Sequence, residues 1–201
     1  MPWWATFAAL WTVAAVTPGP NFLLVTGTAV AAGRPVAWAT LAGLLTGTAA
    51  WGTAGFLGVG FLFSAAPWLY LGLKVAGGVY IAWLGIQMWR GGAEAILPAG
   101  GANASFARAW RRGLTTSLSN PKSGAFVATI FAATLPPHVG ALQALEALAI
   151  MLVVSLSWYG TLVFGLGQEH VQAVYLRARR GIERVAGALF VAFGIEIATG
   201  R

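Results

Sequence analysis

Apolar residues run through this chain in stretches too long for an ordinary soluble helix, and the ionisable positions fall between them. The first 33 residues carry no ionisable side chain, and residues 35–73, 123–145 and 147–168 carry no charge. Each stretch exceeds the roughly 20 residues that an α-helix needs to cross about 30 Å of hydrocarbon. The pattern predicts an all-α integral membrane protein with six transmembrane helices, at about 4–31, 36–62, 67–90, 113–135, 141–166 and 181–199. Pro35, Pro67 and the pair Pro136-Pro137 stand at turns, where a missing backbone N–H costs little. The opening "MPWWATFAALW" lacks the basic stretch of a cleavable signal and reads as the start of the first span.

The six spans form one transmembrane domain, 1–201, with half-repeats at about 1–90 and 113–199 joined by a loop at about 91–112. That loop is rich in Gly, Ala, Asn and Ser and leads into a basic, amphipathic approach to span four. Basic residues in short loops set orientation. Arg34, Arg90, Arg108, Arg111, Arg112, Arg177, Arg179, Arg180 and Arg184 occupy alternate connections, and the intervening turns hold none. The bias places the long loop in the cytoplasm and both termini outside, with Arg201 a minor contrary vote. Three spans per half then make the halves oppositely oriented, an inverted 3+3 arrangement.

Two spans are interrupted at corresponding places. In span one, "VTPGPNFLLV" sets Pro18 and Pro20 around Gly19. Neither proline can donate to the carbonyl four residues back, so those of Ala14 and Val16 are freed. Thr17 and Gly19, each before a proline, are pushed from α geometry. Facing lipid, each freed group would cost several kcal/mol, so the break must face protein or a wet cavity. In span four, "SLSNPKSGAF" offers Ser119 or Asn120 as an N-cap and Pro121 as the first helical residue. The N–H groups beyond it form the positive end of a half-helix, and Lys122 adds a full charge. A ligand carboxylate would satisfy that end, and the carbonyls freed in span one would meet an ammonium. Thr17, Pro18, Gly19, Pro20, Asn21, Asn120, Pro121 and Lys122 are therefore candidate binding residues for a small zwitterion, an amino acid. Inverted repeats with discontinuous helices commonly place a transport site at such breaks. A plainer reading has the prolines as structural kinks and Lys122 snorkelling to the interface.

Composition agrees with the membrane reading: 58% hydrophobic and 8% charged residues, against roughly a quarter charged in soluble domains. The net charge of +7 comes from residues flanking the spans, and no basic face with interleaved aromatics suggests a nucleic-acid partner. Without Cys or Asp, thiol chemistry and most metal sites are excluded. His138 and His170 fall in loops on opposite faces, and no cofactor is implied. Gly43 and Gly47 form a GxxxG pair that packs helices within the chain or joins a homodimer, and Gly78 with Ala82 is similar. Glu146 and Glu196, near the outer ends of spans five and six, are candidates for proton coupling or simple interfacial solvation. No nucleophile–base pair suited to an enzyme lies in the spans.

The sequence resembles the lysine exporter (LysE) superfamily, nearest its threonine/homoserine exporter (RhtB) branch. The matching pieces are "TPGPNFLLV", "GLLTGTAAWGTAGFLGVG", "LGLKVAGGVYIAWLGIQMWR" and "FARAWRRGLTTSLSNPKSGAFVATIF". Ile81 stands where the family commonly shows Leu. The resemblance implies a six-span exporter of amino acids in a bacterial inner membrane, coupled to proton movement. It carries the family's Pro-Gly-Pro onto Pro18, Gly19 and Pro20, and its Asn-Pro-Lys onto Asn120, Pro121 and Lys122. A metal or cation exporter of the same superfamily and a non-transporting membrane interaction protein are the alternatives.

Overall fold

The computed structural model describes residues 2–17, 19–65, 67–90, 105–135, 140–165 and 169–199. Pro18, Pro136, Pro137, His138, Arg201 and residues 91–104 lie outside them. Among the described residues the chain is all helical, with eight helices and no strand: α1 (Trp3–Val16), α2 (Pro20–Ala31), α3 (Gly33–Ala65), α4 (Pro67–Trp89), α5 (Phe106–Ser119), α6 (Pro121–Thr134), α7 (Ala141–Gly165) and α8 (Glu169–Thr199).

The two sequence breaks are the two places where a predicted span becomes a pair of helices. α1 ends at Val16, α2 begins at Pro20, and their axes differ by 54°. α5 gives way to α6 at Asn120, which is extended. α7 by itself, and α1 and α2 taken together, are long and apolar enough to cross a bilayer. Two boundaries differ from expectation. α5 starts at Phe106, inside the stretch read as loop, because Ser105 caps it by accepting from the Arg108 N–H at 3.4 Å. α8 starts at Glu169 instead of about 181, because residues 169–180 hold no Gly or Pro and are rich in good helix formers.

Small residues bring the helices together. α4 lies along α8 with Gly78 facing Gly194 and Gly85 facing Gly187. A Cβ on any of the four would come within 2.7 Å of the opposing carbonyl oxygen. α3 lies equally close to α5: side chains at Gly43 or Gly113 would collide with the backbone of Trp110 or Thr40. The Gly43/Gly47 pair thus serves packing within the chain. Where lipid is as apolar as the side chains, such close backbone approach is what gains van der Waals energy. The helices enclose one aromatic-rich core around Phe7, Trp11, Phe126, Phe131, Met151 and Phe190, and another around Phe22, Leu41, Leu44, Tyr159 and Val163. Outside, α4 exposes Trp68, Leu71, Val75, Val79, Trp83 and Ile86 along one face. That spacing marks one continuous apolar helix face.

Candidate functional site

Both helix breaks open onto the same space. Asn120 is the N-cap of α6, its Oδ1 accepting from the Lys122 N–H at 3.0 Å, and Pro121 is the first helical residue. Of the two residues expected as caps, Asn120 takes the role; Ser119 Oγ donates back to the Thr115 carbonyl at 2.7 Å. The Lys122 side chain crosses from α6 to the other break, and its ammonium donates to the Thr17 carbonyl at 3.1 Å. It also lies 5.8 Å from the centre of the Phe126 ring and 5.7 Å from that of Phe190. A cation within reach of two aromatic rings is electrostatically favoured. Lys122 therefore points inward between helices and is not snorkelling to an interface.

Gly19 stands beside this crossing. Its backbone is extended, a conformation open to any residue, and an added Cβ would stand 3.4 Å from Lys122 Nζ, in ordinary contact. Asn21, in the first turn of α2, donates from Nδ2 to Ser123 Oγ of α6 at 3.4 Å, while its buried Oδ1 has no partner. Thr17 Oγ1 turns back to the Val13 carbonyl, and so does the Thr17 N–H, at 3.1 Å.

Two cavities adjoin the breaks, and Gly19, Asn120 and Lys122 line both. The inner one, about 40 Å³, is lined further by Trp11, Thr48, Trp51, Ser155 and Tyr159. At about 10–15 Å³ per water, it holds a few waters. The outer one, about 240 Å³, is bounded by Pro20, Tyr80, Trp83, Gln87, Pro121, Glu183 and Phe190.

Three aromatic or polar partners found here carry no signal in the sequence. Trp51 Nε1 donates to the Ser117 carbonyl at 2.9 Å. That carbonyl is the one Pro121 leaves without its helical donor, so an indole from α3 supplies the missing hydrogen bond. Trp11 Nε1 donates to both the Met151 carbonyl and Ser155 Oγ at 3.1 Å, pinning α1 to α7. Glu183, half-buried in α8, lies at the start of the predicted span 181–199 beside its arginine-rich approach. Of the residues expected at a site, the structure brings together Thr17, Gly19, Pro20, Asn21, Asn120, Pro121 and Lys122; Pro18 lies outside the described residues. Glu146 and Glu196 are exposed, and neither lines either cavity.

Helices broken around a polar cavity, clothed outside in apolar side chains, define an integral membrane translocator. The chain belongs to the LysE type translocator family, whose pattern matches residues 12–201. It is thus a transporter and not an enzyme. The chain is 32% identical over 200 residues to the threonine efflux protein of Escherichia coli K12, covering 98% of this chain and 97% of that one. It is 28% identical over 203 residues to the homoserine/homoserine lactone efflux protein of Salmonella typhimurium, covering 99% and 97%. An uncharacterized membrane protein of Pseudomonas aeruginosa is 32% identical over 192 residues, covering 90% and 88%. No solved structure gives a significant match.

Proposed function

We propose that this protein exports amino acids across a bacterial inner membrane by alternating access, with the two helix breaks as its substrate site. The observation that carries the reading is the Lys122–Thr17 hydrogen bond, which joins a half-helix N-terminus to the carbonyl side of the other break. The positive end of α6 and the Lys122 ammonium suit a carboxylate. The carbonyls of the α1 break, now partly engaged by Lys122, suit an ammonium once Lys122 turns to the substrate. The names of the threonine and homoserine efflux relatives point to small neutral amino acids.

The proposed crossing pattern is six spans: α1 with α2, α3, α4, α5 with α6, α7, and α8. The halves 1–90 and 113–199 are oppositely oriented, both termini are periplasmic, and the loop 91–112 is cytoplasmic. Support comes from the helix contacts. Exchanging the halves turns α3 against α5 into α7 against α1, α2 against α5 into α6 against α1, and α3 against α6 into α7 against α2. It leaves α4 with α8 and α3 with α7, and these contacts are present; those of α2 with α3 and of α4 with α6 have no comparable counterpart among the described residues, so the likeness of the halves is partial. Export is driven by proton entry in this reading, with Glu146 and Glu196 as the first residues to test and a homodimer as the assembly to look for.

Counterflow in proteoliposomes with a panel of radiolabelled amino acids tests the proposal. Exchange of threonine or homoserine above protein-free vesicles is the expected outcome. Failure of monodisperse, folded protein to exchange any of the panel would overturn it.

A further inference from the structure

We infer that the outer cavity is a second substrate subsite, in which the Glu183 carboxylate holds the ammonium of the amino acid while Lys122 holds its carboxylate. The inference rests on the export reading and deepens it.

Size separates the two cavities. A free amino acid is several times the bulk of a water, and the inner space of about 40 Å³ accommodates only a few waters. The outer space of about 240 Å³ takes the whole molecule. In the arrangement seen here, the outer of the two cavities is the one with room for a substrate.

Charge assigns the two ends of that substrate. The chain holds five acidic residues, all Glu. Of those whose side chains are described, Glu146 and Glu196 are exposed, and only Glu183 lines either cavity. Its wall faces a space that Lys122 and the Asn120-capped start of α6 also border, so one cavity carries an acidic and a basic pole. Such a pair favours a molecule bearing both charges, because each pole can make a charge-assisted hydrogen bond to the opposite group of the substrate. Tyr80 and Gln87 add hydrogen-bonding groups beside an otherwise apolar wall of Trp83 and Phe190.

Location gives the subsite its place in the cycle. Gln87 lies near the C-terminal end of α4, two residues before Trp89, and is followed by exposed Arg90; Glu183 follows the exposed Arg177 and Arg180 on α8. Those arginines mark the cytoplasmic end. The outer cavity is thus the side from which an exporter loads. Arrival of a carboxylate beside Lys122 offers its ammonium a stronger partner than a neutral carbonyl, and draws it off Thr17. The carbonyl so released becomes available to the substrate ammonium as it passes inward from Glu183.

Concentration-dependent counterflow of L-threonine, with 2,3-dihydroxybutyrate as competitor, tests the assignment. The competitor keeps the carboxylate and side chain but carries hydroxyl in place of ammonium. Wild type is expected to exchange threonine and to be inhibited poorly by the competitor. Glu183→Gln is expected to raise the KM for threonine by about 10- to 100-fold and to narrow the preference for threonine over the competitor by a similar factor. If that variant does not purify folded, Gln87→Lys, which adds a cation to the same cavity, is expected to raise KM by about tenfold or more. A folded variant of either kind with wild-type KM and wild-type discrimination overturns the inference. Absence of threonine exchange in wild type would instead strike at the export reading beneath it.

Discussion

Lys122 Nζ of α6 donates to the carbonyl of Thr17 at 3.1 Å across 105 residues of sequence. This one contact closes the gap between two helix interruptions that a linear reading can place only at similar depths. It also gives the lysine a definite resting partner, so that a substrate carboxylate has something to compete with. Lys122→Ala is expected to lower exchange by about 100-fold or more while the protein still inserts and purifies as a single species. Wild-type flux in a folded Lys122→Ala protein would remove the residue from the site.

Asn120 separates stability from binding. Its Oδ1 caps α6, and Asn120→Ala is expected to cost about 1 kcal/mol, read as a lower Tm in detergent. Asp is an equally good cap, so Asn120→Asp should keep the wild-type Tm. The same change sets an anion where a substrate carboxylate would lie, and exchange should fall by about tenfold or more. Full exchange by Asn120→Asp would argue that carboxylates bind elsewhere.

Trp51 and Pro121 form a coupled pair. Trp51→Phe removes the donor to the Ser117 carbonyl, leaving a buried acceptor unsatisfied at a cost of about 1–3 kcal/mol. Pro121→Ala restores a backbone N–H at the position that would serve that carbonyl in a continuous helix. Thermal unfolding of both single variants and the double should therefore show Trp51→Phe to be milder in the Pro121→Ala background. Strict additivity would mean that the indole is not compensating for the proline.

The α4–α8 seam makes a contrast among glycines. Gly194→Leu forces a side chain against the Gly78 carbonyl and Ala82, and is expected to destabilise by about 1–3 kcal/mol or prevent folding. Gly72, on the same α4 but with nothing near its missing Cβ, should accept Leu with Tm unchanged. Equal effects at the two positions would show that α4 and α8 are not in this register.

Much of this architecture is legible in the chain before any coordinate. Charge-free runs locate the helices, Pro18, Pro20 and Pro121 locate the interruptions, and Asn120 with Pro121 announces the restart of α6. Gly43, Gly47 and Gly78 announce close packing, although spacing alone does not say against which helix. What escaped depends on contacts distant in sequence. That Trp51 answers Pro121, or that Trp11 reaches Ser155, follows from how α3 lies on α5 and α1 on α7; no local pattern encodes it. Glu183 was hidden for another reason. It falls at the start of the predicted span 181–199, beside Arg177, Arg179, Arg180 and Arg184, where a lone carboxylate reads as interfacial solvation. Only the packing of α8 beside α4 shows that this carboxylate borders a cavity.

The narrow inner cavity also bears on what the protein does between cargoes. A carrier set in an energised membrane has to be an insulator whenever it is empty, since any continuous file of water would drain the gradient. Room for only a few waters keeps any such file short at this point. The ammonium standing at its border adds a fixed positive potential that repels hydronium and metal cations alike. If the breaks are the substrate site, as proposed, the lysine that receives cargo would in its absence also help to keep the membrane electrically tight.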